Sequence, residues 1–129
     1  DWGRFGQFIL NNGTLPNGKT ILPENWIRQS SDWTKAKGSV SDAHPEGLYG
    51  YQWWNNEVPA NAAGVEPTAQ DSLKGSLWAL GIFGQMIVVN PKENLVIVQW
   101  STWPQAEPSF SAQPLEASLM FSAIAKALH

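Results

Sequence analysis

The chain has 129 residues, 43% of them apolar and only 15% charged, against about 25% charged in an ordinary soluble protein. Eight Trp, five Phe and two Tyr are a load of large flat side chains that excludes a disordered chain and demands burial or a ligand. A net charge of -3, with the eight basic residues scattered, excludes a nucleic-acid surface, and the absence of cysteine excludes disulfides, thiol catalysis and cysteine zinc sites.

The length suits one domain, since domains cluster near about 100–150 residues. The longest apolar stretch, Met86 to Val89 and Leu95 to Val98, is broken by Asn90 to Asn94. It falls far short of the roughly 20 residues that span a bilayer, so neither a membrane span nor a basic-plus-apolar leader is expected. From the first residue, Phe5, Phe8 and Ile9 stand at i, i+3, i+4 and predict a helix, with Asp1 suited to its N-cap and Gly13 to the left-handed residue that stops it. A whole helix with no initiating Met before it reads as a chain cut at its N-terminus. Pro16-Asn17-Gly18 between short apolar runs predicts a small hairpin within 15–22, and Pro23 with Glu24 suits the first turn of a second short helix.

Residues 30–47 show no periodicity and read as a loop. Leu48 to Trp54 is an aromatic strand, and 55–75, rich in Asn, Ala, Gly and Pro, a long excursion. Three more strands are expected at Ser76 to Leu80, Gly84 to Val89 and Leu95 to Ser101, the last two forming a hairpin over 90–94. After a Pro-containing connection over 102–113, Pro114 opens a last helix that places Leu115, Leu119, Met120, Ala123, Ile124 and Ala127 on one face, expected to pack on the sheet. The fold class is therefore α+β, an antiparallel sheet packed by a C-terminal helix.

The search for chemistry is mostly negative. There is no Gly-x-Ser-x-Gly elbow, phosphate loop, His-Glu-x-x-His or Gly-x-Gly-x-x-Gly. The two histidines, one at the C-terminus, supply a metal site or a Ser/His/Asp triad poorly, and His44 before Pro45 reads as a solvated turn residue. Glu46, Glu57, Glu66 and Asp71 flank the aromatic strand in loops, but nothing in their spacing asserts a glycosidase-like pair. Asn12-Gly13-Thr14 matches a glycosylation sequon in which Gly13 is already explained as a helix stop.

The segment Trp78 to Val98 stands out, with Gly81, Gly84, Gln85 and Pro91 set in an apolar run. It resembles the C-terminal part of the penicillin-recognising serine hydrolases: class C β-lactamases, D-alanyl-D-alanine peptidases and related esterases and amidases. Within them it looks most like the 6-aminohexanoate-oligomer (nylon oligomer) hydrolase-like branch. Arg4-Phe5-Gly6-Gln7 with Gly13, and Tyr49-Gly50-Tyr51-Gln52-Trp53-Trp54, resemble the helix and strand of that region in the same order, so the likeness runs over nearly the whole chain.

The resemblance implies a β-lactamase/transpeptidase-like fold of which residues 1–129 are the C-terminal portion, in a bacterial periplasm or cytoplasm. That family carries its chemistry on Ser-x-x-Lys, a Tyr-x-Asn-like element and a Lys-Thr-Gly-like triad. The first two are missing here: the nearest imitation of Ser-x-x-Lys is Thr34 with Lys37, and neither Tyr49 nor Tyr51 has the required spacing. Ala79-Leu80-Gly81 stands at the place of the triad. Ala and Leu cannot bind a substrate carboxylate by charge or hydroxyl, which favours an ester or amide with an apolar neighbourhood over a penicillin. The residue after the triad, Ile82, is the implied backbone N–H donor to the oxyanion, worth about 2.7–4 kcal/mol in a comparable deletion. Gly81 and Gly84 read equally as relief of crowding at a strand bend.

Trp53, Trp54 and Trp78, with Ala79 and Leu80, would wall the acyl pocket; the competing reading makes the tryptophans core residues. Adjacent strand residues face opposite sides, so one of Trp53 and Trp54 is expected in the core and the other exposed. Several Trp rings should be exposed, or covered by another chain. The resemblance implies no cofactor or metal. It implies two kinds of partner, the N-terminal portion of the same hydrolase or a second copy, and a small ester or amide substrate in the intact parent. A small Trp-rich carbohydrate-binding domain accounts for the Trp count and low charge equally well, though not for the ordered helix-strand pattern, and a third option is an interaction module that pairs its apolar edges with a second copy.

Overall fold

The computed structural model describes residues 1–31, 48–50, 52–55, 75–106 and 112–128. Helix α1 (Trp2–Leu10) and the short α2 (Trp26–Ser31) precede five strands: β1 (Leu48–Gly50), β2 (Trp53–Asn55), β3 (Leu77–Gly81), β4 (Gln85–Asn90) and β5 (Leu95–Gln99). A single 3-10 turn, Ile82–Gly84, joins β3 to β4, and helix α3 (Ala112–Ala127) follows. The strands form one sheet in chain order, every neighbouring pair antiparallel.

Alternation along the strands divides the core between the two faces of that sheet. Leu77, Ile87 and Val89 join Trp53, Ile9 of α1 and Ile27 of α2 on one side. Trp78, Val88 and Ile97 join Ala117, Phe121 and Ala125 of α3 on the other. The expected α+β class holds, with helices on both faces rather than the C-terminal one alone. Gly6 lets α1 lie close to the sheet, because a Cβ there would fall on the side chain of Val96.

Local structure follows the sequence closely at the start. The left-handed stop of α1 falls one residue before the expected Gly13: Asn12, at φ +53° after the Asn11 cap, donates its N–H to Ile9 O (3.0 Å), and the Gly13 N–H donates to Phe8 O (2.9 Å), with Gly13 itself at φ +73°. The small hairpin forms as a Thr14–Thr20 bridge around Gly18, with the Leu15 N–H donating to Lys19 O (2.9 Å). The second helix begins at Trp26 rather than Pro23; Asn25, at φ +64°, interposes a turn.

Two expectations are corrected. Residues 48–54 are not one strand: Gly50 pairs with Trp53, Gln52 has φ +71°, and the segment folds back as β1 and β2. The face of the last helix is also different. Ala117, Phe121 and Ala125, one turn apart, meet the sheet, whereas Leu119, Met120, Ala123, Ile124 and Ala127 point away from it. Small residues at 117 and 125 let the helix approach until Phe121 is fully enclosed, its ring 5.7 Å from that of Trp78. His44, Glu46, Glu57, Glu66 and Asp71 lie outside the described residues. No described helix is long and apolar enough to cross a membrane.

Candidate functional site

β2 is shorter than β3. Its paired residues, Trp54 and Asn55, reach only Trp78 and Leu77, and among the described residues no strand partner lies beyond them. On its other edge β3 pairs with β4 all the way to Gly81. Among the described residues, Ala79, Leu80 and Gly81 therefore form a short strand end with a strand partner on one edge only.

This edge leads straight into a constrained turn. Phe83 adopts φ 57°, ψ 24°, a left-handed conformation that a bulky residue rarely takes and that costs about 1–3 kcal/mol unless its surroundings hold it. They do: the Phe83 N–H donates to Ala106 O (3.0 Å), and Phe83 O accepts from the Trp103 N–H (3.2 Å). Gly84 also has positive φ, +80°, and the indole of Trp103 occupies the space a Cβ would need. The crowding-relief reading thus describes Gly84 well; at Gly81 a Cβ would approach Gln85 alone, its Cβ at 3.1 Å and its carbonyl oxygen at 3.4 Å.

Two glutamines secure the same turn from β4 and β5. Gln85 pairs through its side-chain amide with the backbone of Ser101, donating to Ser101 O and accepting from the Ser101 N–H. Gln99 Nε2 donates to Gly84 O (3.1 Å) and to Ser101 Oγ (2.8 Å). Charge plays no part in the clasp. Ile82, first residue of the turn, is 56% exposed, and no described turn or loop carbonyl accepts from its N–H, although its own carbonyl accepts from the Gln85 N–H. An exposed residue held in a fixed turn follows the strand end.

Beside it lies an open apolar pocket of about 320 Å³, within the size range of small-ligand sites. Ala79, Gly81, Ile87 and Val98 lie along it, and Leu80 borders it. Its aromatic walls are Trp2, at the start of α1, and Trp100, just after β5, which are 52% and 73% exposed.

The structure therefore brings together Ala79, Leu80, Gly81 and Ile82 and sets the other named residues apart. Trp53 is a core residue on the α1 side, its ring stacked on Phe5 at 6.3 Å. Trp54, expected on one branch to be exposed, is half-buried against the α3 core on the opposite face. Trp78 is buried in that same core, with Nε1 among the buried polar atoms that lack a hydrogen-bond partner. Sequence reasoning missed Trp2, Trp100, Gln85, Gln99 and Trp103 as neighbours of the site. Only Gln85 carried a signal, as part of the family-like segment. Among the described residues no cluster of three His, Cys, Asp or Glu is placed to hold a metal ion.

No family model matches the chain. It is 28% identical over 111 residues to 6-aminohexanoate-dimer hydrolase of Paenarthrobacter ureafaciens, an alignment covering 83% of this chain and 24% of that protein. It is also similar to an uncharacterised protein of Alkalihalophilus pseudofirmus, 26% identical over 96 residues, covering 74% of this chain and 26% of that protein. The chain is distantly similar to a hydrolase. It spans about a quarter of the length of these relatives.

Proposed function

We propose that this chain is the C-terminal portion of a β-lactamase-like serine hydrolase, supplying the open strand edge, the oxyanion-side turn and an apolar wall for an ester or amide substrate. The observation that carries the reading is the sequence of a half-paired strand end that lines an apolar pocket, Ala79 to Gly81, followed at once by a clamped turn that begins at the exposed Ile82. In acyl transfer, a nucleophile's attack turns the substrate carbonyl into a tetrahedral oxyanion. Backbone donors held in advance stabilise that charge without reorganising during the reaction. Ile82 is the donor in this reading, and Phe83, Gly84 and the Gln85–Gln99 clasp hold it in place.

Gly81 lets substrate approach the strand closely, and Ala79 and Leu80 give it apolar contact. Without a charged or hydroxyl side chain at 79 and 80, the strand end offers nothing to a substrate carboxylate beside the scissile bond. A linear, neutral-flanked chain suits the pocket better, and a 6-aminohexanoate dimer, named for the relative, has such an aliphatic stretch. Nucleophile and base come from the remaining portion of the hydrolase, so the chain by itself performs no turnover.

The test is reconstitution. The 14.2 kDa chain, its mass verified, is assayed with p-nitrophenyl esters and nitrocefin, alone and together with a portion of the related hydrolase that carries Ser-x-x-Lys. Ester hydrolysis is expected only in the mixture, and Ile82→Pro, which deletes the donor N–H, should reduce kcat by about 10²–10³. Turnover by the chain alone, or full activity in the proline variant, overturns the reading.

A further inference from the structure

Helix α3 is apolar on the side turned away from the sheet as well as on the side packed against it. Leu119 and Met120 are each 47% exposed, Ile124 37% and Leu128 59%, with Ala123 and Ala127 exposed between them. Between Glu116 and Lys126 the helix carries no charge. A surface helix keeps polar residues on its outer side, whereas a helix apolar all round is buried on both sides. Leu119, Ala123 and Ala127 form one row and Met120, Ile124 and Leu128 the next, each spaced by about one turn. Large side chains beside small ones at this spacing make the ridge and groove into which a second helix packs.

A two-fold pairing with another copy covers one self-complementary patch on each molecule. The exposed apolar side chains here lie on both sides of the sheet: those of α3 on one, and Trp2, Phe5 and Trp100 by α1 and the pocket on the other. Pairing α3 with α3 leaves the second set open. The relatives, by contrast, each have about three-quarters of their length without a counterpart in this chain, enough polypeptide to cover both sides.

We infer that the outer face of α3, centred on Leu119, Met120 and Ile124, docks an apolar helix contributed by the rest of the hydrolase. The inference rests on the reading of the chain as part of a larger enzyme and locates the joint between the parts. It places that joint on the outer side of α3, and none of Leu119, Met120 and Ile124 lines the pocket, so assembly and substrate binding use different residues.

The chain has no cysteine, so Ile124→Cys introduces a unique label site on that face. Its alkylation rate is measured in the chain alone over a concentration series, and with the portion of 6-aminohexanoate-dimer hydrolase that has no counterpart here. Light scattering gives the mass of each sample. The expected result is a 1:1 complex in which alkylation slows at least tenfold, and at least tenfold weaker complex formation by Leu119→Gln/Ile124→Gln, whose unchanged thermal melt shows that the chain still folds. Protection in the chain alone, with doubling of its mass, assigns the face to a second copy and overturns the inference. A label that stays reactive in every sample overturns it as well. Ester hydrolysis read in the same mixtures separates the two claims: protection without hydrolysis sinks the serine-hydrolase reading and leaves the joint, and hydrolysis without protection does the reverse.

Discussion

The indole of Trp103 fills the space that a Cβ on Gly84 would require, so the residue that lets β3 turn into β4 is fixed in identity by a ring nineteen positions later. This contact ties the connection after β5 to the turn that presents Ile82. Gly84 answers two demands, a φ of +80° and an absent side chain, and neither alone describes it. Gly84→Ala should therefore destabilise the chain by about 2–4 kcal/mol, combining left-handed strain with overpacking. Gly81→Ala, which needs no left-handed φ and meets Gln85 no closer than 3.1 Å, should cost clearly less. Urea midpoints of the two variants, compared at equal slope, check this ordering.

Gln99 makes the shared contact of the clasp, reaching both Gly84 O and Ser101 Oγ. Replacing it with Leu keeps the volume and removes the donors, at a cost of about 1–3 kcal/mol for the stranded acceptors. The Phe83 and Trp103 amides, whose bonds close the turn, should exchange with deuterium faster in Gln99→Leu, while the Val88 and Ile97 amides hold their wild-type rates. Equal acceleration throughout would show that the clasp supports the whole sheet rather than the turn.

Phe121 and Leu119 stand on opposite sides of one helix, the first fully buried and the second half exposed. Phe121→Ala should lose about 3–5 kcal/mol through the cavity it leaves, and Leu119→Ala in the isolated chain no more than about 0.5 kcal/mol. Thermal or urea unfolding of the two variants distinguishes this arrangement from the one that packs Leu119, Met120 and Ile124 on the sheet, which requires the larger loss at Leu119.

Trp100 is the most exposed large apolar residue described, and it walls the pocket. Trp100→Ala should leave stability within about 0.5 kcal/mol of wild type. In the reconstituted hydrolase it should raise KM for medium-chain esters about tenfold, or 1.4 kcal/mol, with little change in kcat. A kcat loss at unchanged KM would place the ring at the reacting centre instead.

Elements whose burial follows from local pattern were readable in the sequence. Phe5, Phe8 and Ile9 announce α1, and Asn90 to Asn94 announces the β4–β5 hairpin. The face of α3 was not, because a helix with apolar residues all round has no periodicity to select one side; Ala117 and Ala125 were chosen by closeness of approach, not hydrophobicity. The sequence between Gly50 and Trp53 lacks the Asn-Gly or Asp-Gly signature of two-residue hairpins, so the aromatic run reads as one strand. At the site, Gly81 and Ile82 are contiguous and could be singled out. Trp2 and Trp100 meet only because α1 lies across the sheet, and no local signal joins residues 98 positions apart.

The open end of β3 has a consequence for the chain's behaviour at high concentration. An unpaired strand edge is a template for any other strand, and long flat apolar edges are where sheets grow into aggregates. Among the described residues the part of β3 without a partner on that side runs for only three residues, Ala79 to Gly81, before Phe83 swings the backbone into the left-handed region and ends the extended run. The bend at Phe83 thus also keeps this part of β3 short, and a change that straightened it would lengthen the unpaired edge into a template for further strands.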